Sequence, residues 1–255
     1  MRPVRRQASP QSEDFADYSD AKTELISRLG SGWINGSHLA SYCSYCERVI
    51  STMLAVEHIE PKDGPNGKPE LEGRWNNFLL ACVNCNSAKG HQAVNLAQLF
   101  FPDRDNTFHA FKYLPDGTVV PATHLSSTDT MIADATLKLT GLDRAQRQTL
   151  DAHGRVIAED RASQRMQVWG IAVLARDYIN MDPNNSALKE STVLNAVLSG
   201  FFSIWMEVFS GNSYMRNRFV DAFSGTRPSG CFDPVAAQSI SPAPNYDALP
   251  NGSKI

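Results

Sequence analysis

The sequence predicts an α+β protein in which a small metal-stabilised core precedes a mainly helical C-terminal region. Four of the five cysteines form two Cys-x-x-Cys pairs, short β-type segments lie around these pairs, and helical spacing of apolar residues dominates the second half. The chain has 255 residues, of which 42% are apolar, enough for an ordinary packed core.

The pairs Cys43/Cys46 and Cys82/Cys85 predict a structural zinc site. Two thiolates two residues apart can bind one ion from a tight turn, and four thiolates fill a tetrahedral shell with no position left for water. A disulfide or a thioredoxin-type redox pair is a weaker interpretation, because no secretory leader and no βαβ pattern accompanies either pair. Cys231 has no nearby partner and is interpreted as an incidental thiol.

Hydropathy indicates where in the cell the protein is located, and net charge indicates how it could bind nucleic acid. No apolar run approaches the roughly 20 residues that a membrane span needs, and polar residues follow the first six, so we expect a cytoplasmic protein. The net charge is −3, whereas a protein that binds nucleic acid unaided usually carries a basic surplus. Either a few basic side chains are focused on one face, or a partner supplies most of the affinity for nucleic acid.

Composition divides the chain into four regions. These are an N-terminal arm and helix (1–36), a metal-binding core (37–104), a hairpin and helical region suited to docking a partner (105–225), and a flexible tail rich in Pro, Ser, Gly and Asn (226–255).

In the first two regions, Ser19 is predicted to cap a helix that runs to Gly30, and a Gly-rich connector follows to Gly36. Two short strands, 48–50 and 53–56, are predicted to form a hairpin. The apolar segment 77–81 is expected to pack under the metal, and helical spacing from Asn86 through Phe100 ends at Pro102.

Beyond the core, Pro115-Asp116-Gly117 predicts a hairpin between 111–114 and 118–120. Three helices are predicted: one from Thr128 or Asp129 to 139, one from Asp143 to about 180, and one from Ser186 or Ser191 to 209. The arginines of the second helix alternate with acids, which favours a solvated face over a nucleic-acid stripe. Its segment 168–175 is apolar nearly all round and should be buried in this chain or against another.

These motifs together resemble an HNH endonuclease of the zinc-stabilised branch. The matching elements occur in order: Cys43-x-x-Cys46, Glu57-His58-Ile59-x-Pro61-Lys62, and Asn77-Phe78-Leu79-Leu80-x-Cys82-x-x-Cys85-Asn86-x-x-Lys89-Gly90. The resemblance implies a ββα-metal core, with a hairpin and a helix holding one catalytic divalent ion, and hydrolysis of phosphodiester bonds in DNA.

By this resemblance His58 is the general base, a task that suits an imidazole with a pKa near 6.5; a core histidine is the alternative. Glu57 and Asn86 are implied as ligands of Mg²⁺ or Mn²⁺, because both ions favour oxygen donors. A surface charge and a helix N-cap are the respective alternatives for these two residues.

The same resemblance gives roles to three further residues. Asn77 is implied to constrain the loop that orients His58; Asn76 is adjacent, but the spacing to Cys82 favours Asn77. Lys62 and Lys89 are candidate phosphate contacts, with ordinary exposed lysines as the alternative. His91 is close enough in sequence to be a stray ligand, but we assign it no role.

A longer pattern surrounds these motifs: Tyr42-Cys43-Ser44-Tyr45-Cys46-Glu47, Glu57-His58-Ile59-Glu60-Pro61-Lys62 and Trp75-Asn76-Asn77-Phe78-Leu79-Leu80-Ala81-Cys82, then Asp116-Gly117 and a helical C-terminal half. This pattern resembles the HNH subunit of Septu-type anti-phage systems and retron relatives, in which an ATPase of the ABC or SMC-like type accompanies the nuclease. Such a partner would account for the missing basic surplus. Residues 64–69 lack the P-loop spacing, so any ATP hydrolysis must come from another chain. A stand-alone phage or restriction-type nuclease and an inactive zinc-binding interaction module remain as alternatives.

Overall fold

The chain is an α+β protein in which short antiparallel strand pairs support a set of helices. The computed structural model describes residues 1–144, 149–150, 152–154, 156–157 and 160–255. Every strand in these ranges belongs to a two-stranded antiparallel pair. The predicted fold class is therefore confirmed. In the same ranges, no helix combines the length and the apolarity needed to cross a membrane.

The N-terminal region is helical and then forms a hairpin. A 3₁₀ turn (Tyr18–Ala21), helix α1 (Lys22–Leu25) and a π-helical turn (Ile26–Gly30) follow one another. The cap is Asp17, whose Oδ1 accepts from the Ser19 amide at 2.8 Å, and not Ser19 itself. Strands β1 (Ser31–Ile34) and β2 (Ser37–Ser41) replace the predicted connector, because Asn35-Gly36 adopts the positive φ angles of a tight hairpin turn.

The strand pair at the centre of the metal-binding core differs from the predicted hairpin. Strand β3 (Ala55–His58) pairs with β4 (Phe78–Ala81), whereas residues 48 and 49 form only isolated bridges. Strand β4 is fully buried, and its alternate side chains enter two separate apolar clusters, so this pairing buries apolar side chains on both faces of β4. Helix α2 (Val83–Lys89) starts after Cys82 and ends at Gly90 (φ +49°), earlier than predicted.

The hairpin that follows the core is confirmed. Helix α3 (Thr107–Ala110) leads into strand β5 (Phe111–Tyr113), which pairs with β6 (Val119–Pro121) around the predicted turn. Helix α4 (Ser127–Thr140) is capped by Ser126, two residues before the first predicted start.

The predicted helix from 143 to 180 is only half correct. Strands β7 (Thr149–Leu150) and β8 (Val156–Ile157) occupy part of its first half, and helix α5 (Arg161–Met181) begins after the cap Asp160. Arg161 and Arg165 are buried, which contradicts a solvated arginine face, while Arg147 and Arg155 lie outside the described residues. Leu174 is 57% exposed, so segment 168–175 is buried on one side only.

The third predicted helix is divided in two. Helix α6 (Ser186–Ser199) ends at Gly200, helix α7 (Phe202–Val208) follows, and α8 (Ser213–Ala222) completes the helical region. Gly200 and Phe201 both have positive φ, and the Phe201 amide donates to the Glu47 carbonyl at 2.9 Å. This contact turns the chain back onto the metal-binding core.

Both chain ends pack on the body of the protein, although the sequence predicts an N-terminal arm and a flexible tail. Arg6 is buried against Asp103, and Lys254 pairs with Asp105 at 2.8 Å. Cys231 is buried as well, and its carbonyl accepts a hydrogen bond from Asn106. The tail therefore completes the core despite its polar composition.

Candidate metal centre and cleft

The four paired cysteines converge on one point. Their sulfur atoms all lie within 4.8 Å of one another, and all four residues are buried. A tetrahedral zinc with Zn–S bonds of about 2.3 Å holds its sulfurs about 3.8 Å apart. Cys46 Sγ and Cys82 Sγ are 3.8 Å apart, so the cluster fits a four-thiolate zinc ion.

Local backbone structure sets each cysteine pair in place. The first pair forms a turn in which the Glu47 amide donates to the Cys43 carbonyl at 3.0 Å, and Glu47 has a positive φ of 62°. The second pair opens helix α2, where Cys82 is the N-cap and its Sγ accepts from the Cys85 amide. The Ser44 amide bonds to the Leu80 carbonyl at 2.7 Å and so joins the turn to strand β4.

One charged side chain from a remote part of the chain reaches the sulfurs. Arg161 Nη1 donates to Cys85 Sγ at 2.9 Å. Burial by itself would lower the pKa of Arg161, but the charges of Cys85, Cys46 and Cys82 outweigh burial and raise this pKa above its usual value.

Beside the cysteine cluster, β3, α2 and the loop between β3 and β4 border a cleft of about 360 Å³. It brings together the predicted residues Glu57, His58, Lys62, Asn86 and Lys89. Asn77 does not line it. The arrangement places an imidazole, a carboxylate, an amide and two ammonium groups around one solvent-accessible space.

His58 ends strand β3 and is 9% exposed. Its Nε2 lies 2.9 Å from the Glu72 carbonyl oxygen, which can only accept, so Nε2 carries a proton and Nδ1 is the acceptor in the neutral ring. Tyr18 and Phe78 pack edge-on against the imidazole. Burial lowers the pKa of His58, which favours the neutral form near pH 7.

Glu57 and Lys89 form a buried ion pair. Lys89 Nζ is 3.0 Å from Glu57 Oε1, and each side chain is only 2% exposed. Burial raises the pKa of Glu57, and the Lys89 charge opposes that rise. These contacts exclude the surface-charge alternative for Glu57 and the exposed-lysine alternative for Lys89. In the described part of the chain, the polar contacts of the Glu57 carboxylate fall on Oε1.

The two asparagines occupy different environments. Asn86 lies in the second turn of helix α2 and is half-buried, so it is not the N-cap. The Asn77 side chain forms a two-way bridge to Glu60: its Oδ1 accepts from the Glu60 amide at 2.8 Å, and its Nδ2 donates to the Glu60 carbonyl at 2.9 Å. The bridge holds the loop that leaves His58. Asn76 is exposed and only its carbonyl takes part in described contacts.

The remaining basic groups at the cleft are paired with acids. Lys62 Nζ is 2.5 Å from Glu72 Oε1 and lies over the Tyr18 ring, 4.2 Å from its centroid. The hydrogen bond to Glu72 raises the pKa of Lys62. His91 also lines the cleft and contacts Asp63 at 2.8 Å.

Comparisons with known proteins agree with this geometry. Residues 43–92, which contain all four cysteines together with Glu57, His58, Asn77 and Asn86, match the family model of the HNH endonuclease. Residues 43–92 are an HNH endonuclease domain. A protein named "Retron Vc95 putative HNH endonuclease" from Vibrio cholerae serotype O1 biovar El Tor is 26% identical over 110 residues. That alignment covers 42% of this chain and about half, 54%, of the relative.

Residues outside the HNH domain also shape its site, and sequence reasoning missed them. Tyr18 packs on His58 from the N-terminal 3₁₀ turn, and Arg161 reaches the sulfur of Cys85 from helix α5. Within the domain, Glu72 acts through its carbonyl, which any residue type would supply. Arg161 lies 76 positions from Cys85, so no local spacing in the sequence indicates their contact.

Proposed function

We propose that this protein is a metal-dependent endonuclease that hydrolyses phosphodiester bonds in DNA. The observation that supports this most directly is the convergence of Glu57, His58 and Asn86 on one cleft beside the four-cysteine cluster. All of these residues lie within the HNH domain. We further propose that it acts as the nuclease subunit of an anti-phage defence complex.

His58 is the general base in this proposal. Because Glu72 fixes the proton on Nε2, Nδ1 is free to take a proton from a water molecule as the water oxygen attacks phosphorus. The bond from phosphorus to the 3′ oxygen then breaks. The lowered pKa keeps His58 able to accept this proton near neutral pH.

Glu57 and Asn86 are the proposed ligands of the catalytic divalent ion. Carboxylate and amide oxygens suit Mg²⁺ or Mn²⁺, and so small a ligand set leaves room for water and phosphate. When bound, the ion supplies positive charge to the phosphate and to the leaving oxygen. Lys89 holds the Glu57 carboxylate in place through their ion pair, and Lys62 lies at the cleft where a phosphate would enter.

A partner for DNA binding is consistent with the charge balance. The net charge is −3, and Lys62 and Lys89 at the cleft are already paired with acids. An ATPase subunit of the ABC or SMC-like type is the proposed partner. The similarity to a retron protein supports a role in defence.

A plasmid cleavage assay tests the proposal. Three proteins are incubated with supercoiled DNA and Mg²⁺ or Mn²⁺: the wild type, His58→Ala and His38→Ala. Each is tested with and without the proposed ATPase partner, for which the product of the gene next to that of this protein is the candidate. We expect His58→Ala to lower the rate about 10²–10⁴-fold. His38 is exposed on β2, outside the cleft, so His38→Ala should retain activity.

The outcomes separate the competing interpretations. Equal cleavage by the wild type and His58→Ala excludes His58 as the base. Cleavage by the wild type without an added protein supports a stand-alone nuclease. Cleavage that requires the added protein supports the proposal that the nuclease acts with a partner. Absence of cleavage in every mixture, with retained binding to an ATPase, favours an inactive interaction module.

A further inference from the structure

The electrostatics of the cysteine cluster require a compensating positive charge. Four thiolates around one Zn²⁺ carry a net charge of about −2. The four cysteines are buried, and an unbalanced charge in a poorly solvated interior is costly. Donors close to the sulfurs reduce this cost.

Arg161 is placed to provide that compensation. Its Nη1 is 2.9 Å from Cys85 Sγ, and its side chain is buried. A guanidinium cannot lose its proton under ordinary conditions and offers several donors in a fixed plane. The contact is therefore a charge-assisted hydrogen bond to a proposed zinc ligand.

The same guanidinium also joins two helices. Nη1 and Nη2 donate to the carbonyls of Thr140 and Gly141, which are left without helical partners at the end of α4. Arg161 is itself the first residue of α5. At Gly141 a Cβ atom would lie 3.1 Å from that of Ala88, so the end of α4 packs closely on α2. One side chain thus links the cysteine cluster, the end of α4 and the start of α5.

We propose that Arg161 is a positioning residue of the zinc centre, which stabilises Cys85 as a thiolate ligand and couples zinc binding to the docking of α4 and α5. Residues that hydrogen-bond to metal ligands typically contribute about 10–100-fold to metal affinity. Because the coupling is reciprocal, zinc binding also stabilises the position of these helices. The proposal does not depend on nuclease activity.

Zinc affinity of the full chain, measured by chelator competition, tests the proposal. Arg161→Gln is expected to bind zinc about 10–100-fold more weakly than the wild type. The Co²⁺-loaded variant should also show a shifted sulfur-to-cobalt absorption band, because Cys85 loses its donor. Arg161→Lys keeps the charge and should bind zinc more tightly than Arg161→Gln.

Arg165 provides a matched control on the same helix. It is also buried, and its Nε donates to the Gly117 carbonyl at 2.6 Å and not to a sulfur. Arg165 interacts with the charge of Cys46 but donates no hydrogen bond to a sulfur, so Arg165→Gln should lose clearly less zinc affinity than Arg161→Gln. If Arg161→Gln does not fold, Arg161→Lys is compared with Arg165→Lys. Both variants keep a positive charge, but only the first loses a guanidinium hydrogen bond to a sulfur, so Arg161→Lys should lose more zinc affinity.

Three results would overturn the proposal. These are wild-type zinc affinity in Arg161→Gln, an equal loss of affinity in the Arg165 control, and equal affinities of Arg161→Gln and Arg161→Lys. The first result would show that the contact with Cys85 does not affect zinc binding. The second would show that the loss of affinity reflects a general loss of stability. The third would show that the charge of Arg161 has no role.

Discussion

At the residue scale, the candidate catalytic groups depend on contacts that the motif does not specify. His58 was predicted from the Glu57-His58 pair, but its tautomer is set by the Glu72 carbonyl. Glu57 was predicted as an acid beside the base, but its carboxylate is held by Lys89 from the far end of α2. The motif therefore predicted the identity of these groups, and the fold supplies their protonation and orientation.

Substitution of Asn77 tests the loop bridge. Asn77→Ala removes both hydrogen bonds to the Glu60 backbone and leaves buried polar groups unpaired, so we expect a loss of about 2 kcal/mol in unfolding free energy. The rate of DNA cleavage should also fall, because the loop that leaves His58 is released. Urea denaturation and the plasmid assay measure the two effects.

Asn76→Ala is the matched control for this prediction. Asn76 is exposed and adjacent to Asn77, and its carbonyl contacts survive the substitution. We expect a change in unfolding free energy of less than about 0.5 kcal/mol. A larger effect at Asn76 than at Asn77 would show that Asn76, and not Asn77, is the central asparagine of the motif.

At the scale of elements, the differences between prediction and structure occur where a distant contact decides the outcome. Apolar spacing predicted a single helix across 186–209, but Gly200 has φ +71° and ψ −150°, a conformation that only glycine adopts readily. A Cβ at this position would lie 2.7 Å from the Glu47 carbonyl oxygen. The break is therefore set by the close approach of the metal-binding turn.

Two glycine substitutions are expected to have opposite effects. Gly200→Ala should lower the unfolding free energy by about 1–3 kcal/mol because of backbone strain. Gly170→Ala, inside helix α5, should raise it by about 0.5–1 kcal/mol, since a Cβ there meets no atom within 4 Å. Equal effects of the two substitutions in urea denaturation would contradict this account.

At the scale of the whole molecule, a buried ionic cluster connects the N-terminal segment, the HNH domain and the tail. Asp103 contacts Arg6 at 2.6 Å and Arg104 at 2.9 Å. Arg6 donates to the carbonyls of Asn76 and Phe78, and Arg104 to that of Pro250. The chain ends therefore contribute to the stability of the strand pair that carries the cleft.

This cluster predicts acid sensitivity. Burial by itself would raise the pKa of Asp103, but Arg104 and Arg6 outweigh it and hold that pKa below its usual value. A lowered folded-state pKa stabilises the protein above the unfolded value, near 3.9. This stabilisation is lost as the pH falls through the still lower folded-state pKa. Asp103→Asn should cost about 3–5 kcal/mol at neutral pH, because it leaves buried arginines without their carboxylate.

Unfolding measured from pH 7 to pH 3 checks the sign. The difference in stability between the wild type and Asp103→Asn should be greatest at neutral pH. It should shrink toward pH 3, because the unfolded chain takes up a proton on Asp103 below about pH 3.9 before the folded chain does. A difference that is constant with pH would show that the ionised carboxylate is not the stabilising group.

Sequence patterns were sufficient to place the candidate groups: the spacing of Cys43, Cys46, Cys82 and Cys85 predicted one metal site, and the HNH motif indicated side chains that line the cleft. Short-range patterns also predicted the hairpin at Gly117, because a tight turn depends on adjacent residues. The β3–β4 pairing, the break at Gly200 and the contact of Arg161 with Cys85 became evident only from the folded chain. Each of these depends on residues distant in sequence, whose packing and charge balance leave no local pattern.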